Sequence, residues 1–101
     1  MSSLKKYEEL KKLCESYNGS KERFSQIISA YIELDESHKT RLASDLQFSQ
    51  SAIGRWANNQ PPSDLRLRKK VVSYIFRRVK YRVRILKNAI AMKGEKDGTD
   101  L

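Results

Sequence analysis

Apolar residues recur along this chain at intervals of three and four, broken at intervals by small polar residues, Gly and Pro. That pattern predicts five helices. Leu4, Tyr7, Leu10, Cys14 and Tyr17, with Leu13 alongside, form one face of a first helix that Ser3 caps and Asn18-Gly19 stops. Phe24, Ile27, Ile28, Tyr31 and Ile32 form a broader stripe on a second helix. Ser20 caps it, Glu22 suits its first turn, and Leu34 falls at its end. Asp35-Glu36-Ser37 reads as a polar connection, with Ser37 capping a third helix from Lys39 to Leu46 whose apolar face is Leu42, Ala43 and Leu46. After a turn through Gln47-Phe48, Ser49 caps a fourth helix from Gln50 to Ala57, with Ile53 and Trp56 facing inward. Asn58-Asn59 end it, and Pro61-Pro62 forbid its continuation.

From Ser63-Asp64 no Gly or Pro occurs until Gly94. A last helix is expected over 64–92, on the order of 40 Å long. Val72, Phe76, Val79, Val83, Leu86 and Ile90 follow the four-three spacing of a packed seam, widened over the first half by Leu65, Leu67, Val71 and Ile75. The first half is therefore expected on the core, and the second half against a partner chain. Arg82 and Lys87 would repel across a parallel coiled coil, so a homodimer through this helix would be antiparallel or globular. The polar 93–101 reads as a disordered tail. The expected architecture is all-α: a five-helix bundle in a single domain over 1–92, with a central helix-turn-helix at 39–58 and a long basic C-terminal helix.

Composition narrows the function. The chain has 101 residues, of which 39% are apolar and 33% charged. No run of eighteen apolar residues exists to span a membrane. MSSLKKYEEL lacks an apolar signal core, which argues for a cytoplasmic, nucleoid-associated protein. Cys14 is the single cysteine and reads as a core or boundary residue. His38 is the single histidine and reads as a loop or first-turn residue, not a metal ligand. With no Gly-rich phosphate loop and no paired carboxylates, no catalytic constellation assembles, and no metal, cofactor or small-molecule ligand is implied.

Charge changes the picture most. The net charge is +9, but residues 1–38 carry six bases and seven acids, and residues 39–101 fifteen bases and five acids. Between Arg66 and Lys87 there are ten Lys/Arg and no acid. Solvated helices normally mix signs, so this bias points to a polyanion. Arg66, Lys69, Lys70, Arg77, Lys80 and Arg84 recur at helical spacing and are candidates for phosphate contact. Anionic membrane is a weaker candidate, because the second apolar stripe (Tyr74, Tyr81, Ile85, Met92) is small and broken by charge. The short fourth helix is braced behind and polar in front, at Gln50, Ser51, Ala52 and Arg55, as a helix entering a DNA major groove must be.

LASDLQFSQSAIGRW resembles the helix-turn-helix of the lambda repressor/Cro-like family, strongly over about twenty residues and loosely over Ser20–Val79. In that family the first helix carries an alanine where the second crosses it, here Ala43, and apolar bracing falls on Leu42, Leu46, Phe48, Ile53 and Trp56. The resemblance implies base reading by Gln50, Ser51 and Arg55, with Ala52 against a thymine methyl and Asn58 on the backbone. Lys39, Arg41 and Ser49 are further residue types suited to phosphate. It implies a dimer on double-stranded DNA, and a transcriptional regulator, foremost a repressor. The alternative is an architectural or accessory protein in plasmid partition, recombination or replication. Gln47 stands where the family usually has glycine and so must adopt positive φ, at about 1 kcal/mol or more. Gly54 interrupts the reading helix, which suggests a close approach of DNA or a neighbouring helix.

Overall fold

Short polar side chains decide where the helices begin. In a computed structural model, which describes the backbone of residues 3–99 and the side chains of residues 3–91, the helices are α1 (Ser3–Glu15), α2 (Lys21–Leu34), α3 (Glu36–Leu46), α4 (Gln50–Ala57) and α5 (Leu65–Thr99). The hydroxyl of Ser20 accepts from the Arg23 amide at 3.1 Å, and that of Ser49 from the Ala52 amide at 3.0 Å. At α3 the expected cap is displaced. Asp35, extended at φ −165° and ψ 128°, accepts from both the amide and the hydroxyl of Ser37 at 2.9 Å. Its carbonyl takes the His38 amide, so the helix starts at Glu36, three residues before Lys39, with Ser37 inside its first turn. A carboxylate is the stronger acceptor for the free amides of a first turn, and it also suits the helix dipole.

The fold is all-α, and α2 is its hub, touching each of the other four helices. Phe24, Ile27, Ile28 and Tyr31 are at most 1% exposed. The Trp56 ring from α4 meets Phe24 and Phe48 edge-on, at centroid distances of 5.7 and 5.0 Å. An eight-residue helix does not hold by itself in water. Burial of Ile53 and Trp56, on the order of 2–3 kcal/mol each, is what keeps α4 in place.

α5 is longer than expected. It continues through Lys93–Thr99, where a tail was anticipated, because Gly94 and Gly98 raise the cost of helix without a proline to stop its propagation. At 1.5 Å per residue its length is about 52 Å, nearly the whole 57 Å long axis of the molecule.

The seam has a different partner from the one its spacing suggested. α1 runs antiparallel along α5: Glu8 pairs with Lys87 at 3.3 Å, the Arg82 guanidinium lies 5.7 Å from the Tyr7 ring centre, and Cys14 and Tyr17 lie beside Val72 and Phe76. Val72, Val79 and Val83 are buried inside the monomer, and Leu86 is half-buried. Only Ile90, 56% exposed, leaves the seam open. The expectation that the second half of the seam faces a partner chain is therefore corrected as far as Leu86.

Arg68 joins the ends of this layout. It is 6% exposed and donates from Nε and Nη2 to the Gly19 carbonyl, and from Nη1 to the carbonyls of Pro62 and Ser63, at 2.8–3.3 Å. One guanidinium thus ties the α1–α2 turn to the loop that leads from α4 into α5. No helix among the described residues is long and apolar enough to cross a membrane.

Candidate nucleic-acid interface

The turn between α3 and α4 forms as its residues require. Gln47 adopts the left-handed conformation, φ 61° and ψ 44°. Its amide reaches the Ser44 carbonyl at 3.3 Å, and the Phe48 amide reaches the Ala43 carbonyl at 2.9 Å, which closes α3. Phe48 then packs on Trp56, and Ser49 opens α4.

Gln50, Ser51, Arg55 and Asn58 are exposed on one face of α4 and its end, with half-exposed Gly54 between them. That face is polar, presents no acid, and lies opposite Ile53 and Trp56. Ala52 does not belong to it. It is 8% exposed and lies on the buried side with Ile53, because the 100° step carries it past the edge of the outward arc. The expected contact of Ala52 with a thymine methyl is withdrawn on that ground.

Lys39 stands beside α4. A Cβ built on Gly54 would lie 3.4 Å from the Lys39 ammonium nitrogen, so the neighbour of this glycine is a flexible side chain of α3. Arg41, two residues on, turns to the other flank of α3 and faces α5. Arg66, Lys69, Lys70, Arg77, Lys80 and Arg84 are all exposed on α5. Lys69 borders a groove with Cys14 and Glu15, and Arg77, Lys80 and Arg84 border one with Lys11. The structure thus gathers Lys39, Gln50, Ser51 and Arg55 into one surface, and sets Lys69, Lys80 and Arg84 along the α1 edge of α5.

Neither family models, nor characterised proteins, nor solved structures match this chain. What can be said of this surface therefore rests on its own geometry.

Two basic residues outside the sequence-derived set enter that geometry. Arg78 and Arg82 turn toward α3 and, with Arg41 and Arg77, line a cleft of about 500 Å³ floored by Tyr31 and His38. Their spacing of four, following Tyr74 by four, places them on the flank between the seam and the outer arc. That helical phase was the available signal. Burial pushes the Tyr31 hydroxyl above the ordinary tyrosine range, against the pull of neighbouring Arg78.

Proposed function

We propose that this chain is a sequence-specific DNA-binding transcriptional regulator, acting as a repressor, with α4 in the major groove. The observation that carries the reading is the single exposed face of Gln50, Ser51, Gly54 and Arg55, held rigid by the Ser49 cap and by Trp56 behind it. The groove is about 12 Å wide and admits one helix. Gln50 matches the N6/N7 edge of adenine and Arg55 the O6/N7 edge of guanine, each in bidentate fashion. Lys39, Ser49 and Asn58 flank that face and suit phosphate, which sets register. The exposed bases of α5 supply affinity without sequence preference.

Selection of bound duplexes from a random pool tests the proposal. A palindromic consensus is expected, with Arg55→Ala relaxing one base pair by about 1–3 kcal/mol. An unchanged sequence profile for Arg55→Ala overturns the placement of α4. Absence of any consensus favours the architectural role instead. Neutralising Arg77, Lys80 and Arg84 together should weaken binding to all duplexes and lower the salt slope by about 3. The homodimer belongs to the end of α5, where Ile85 and Ile90 stay exposed, and sedimentation of Ile90→Lys reads it.

A further inference from the structure

The cleft between α3 and α5 brings four guanidinium groups together with no anion among them. Arg41 contributes from α3, and Arg77, Arg78 and Arg82 from α5. None of the four forms an ion pair among the described residues; Arg78 and Arg82 rest on the rings of Tyr74 and Tyr7. Two carboxylates stand nearby, and both are engaged. Asp35 holds the amide and hydroxyl of Ser37, and Asp45 holds the hydroxyl of Tyr74. Positive charge is therefore in excess inside the cleft.

Its floor carries unmet hydrogen-bonding capacity as well. The hydroxyl of Tyr31, a residue 1% exposed, lies against the Arg78 guanidinium, and neither it nor the buried Nε of Arg78 has a partner at full hydrogen-bond geometry. Both are donors, and two donors side by side at the base of a basic cleft are suited to a shared acceptor. Guanidinium forks match the oxygens of phosphate, and a volume of about 500 Å³ accommodates a phosphate with its organic substituent.

We propose that this cleft is a binding site for a phosphate group, held by Arg41, Arg78 and Arg82 over the Tyr31 hydroxyl. The phosphate belongs either to a free phosphorylated small molecule or to a nucleic-acid backbone. The site lies on the flank of α3 away from α4 and does not depend on the major-groove reading.

Calorimetric titration of the full chain with pyrophosphate, without DNA, tests it. Saturable one-to-one binding is expected, weakened about tenfold in Arg41→Gln and in Arg82→Gln. Lys12→Gln and Lys21→Gln, exposed residues outside the cleft, remove the same charge and leave binding as it was. Tyr31→Phe should weaken binding while its thermal midpoint holds, because the hydroxyl makes no hydrogen bond of full geometry whose loss would strand a partner. Equal losses in the cleft and control variants, or no saturable binding, overturn the site. Duplex DNA that displaces pyrophosphate mole for mole identifies a backbone phosphate. Simultaneous binding of both identifies a free phosphorylated ligand.

Discussion

The His38 imidazole lies flat on the Tyr31 ring, with centroids 4.3 Å apart and planes within 1°. Its Nε2 is 2.8 Å from the Tyr7 hydroxyl, and the residue is 7% exposed. Burial holds its pKa below the ordinary 6.5, with Arg82 and Arg78 acting in the same sense and Asp35 opposing. As pH falls through 6.5 the unfolded chain takes up this proton before the folded chain does. The contribution of His38 is thus complete above that pH and is lost progressively below it. The thermal midpoint should fall between about pH 7.5 and about pH 5.5, and His38→Gln should flatten that dependence. Equal slopes in both proteins would remove His38 as the cause. Asp35, held below its usual 3.8 chiefly by the Ser37 amide, is lost only in a lower window.

Gln47 bears a side chain where the backbone is left-handed. Gln47→Gly should stabilise the fold by about 0.5–1 kcal/mol, since the strain it relieves outweighs the added freedom of the unfolded chain. Urea denaturation reads the change, and a loss of stability would show that the side chain itself holds the turn.

Gly54→Ala separates stability from recognition. The new methyl would meet only the end of Lys39, and alanine is about 1 kcal/mol better than glycine inside a helix. The variant should melt later. Weaker binding to duplex DNA in that better-folded variant would mark Gly54 as the point of closest approach. Unchanged binding would mean that the glycine serves no contact there.

Arg68→Met strands the carbonyls of Gly19, Pro62 and Ser63. The expected cost is roughly 2–3 kcal/mol. Amide exchange should speed up together in the α1–α2 turn and in the loop before α5. Lysine should not restore the native rate, because its single ammonium cannot fork to both segments. An increase confined to one segment would contradict the tie.

Caps and stops are local chemistry, and several of them were legible. Ser20 and Ser49 accept from amides three residues ahead, and Gln47 and Asn59 turn left-handed where the helices end. Five helices, the inward Trp56 and the outward Gln50, Ser51 and Arg55 all follow from neighbours within one turn. The cap of α3 falls on Asp35 and not on Ser37, two residues on, because both residue types can cap and only the extended backbone at Asp35 selects between them.

By itself, then, the sequence determined the helices, their apolar faces and the polar front of α4, because spacing and capping act over three or four residues. What covers each face was decided only by the tertiary structure. The four-three seam of α5 states that something apolar lies against it, and α1, some sixty residues away, takes that place. The span of Arg68 between two loops and the meeting of Arg41 with Arg78 and Arg82 arise in the same way. Each depends on which helices pack side by side, and periodicity along one helix carries no record of its neighbour.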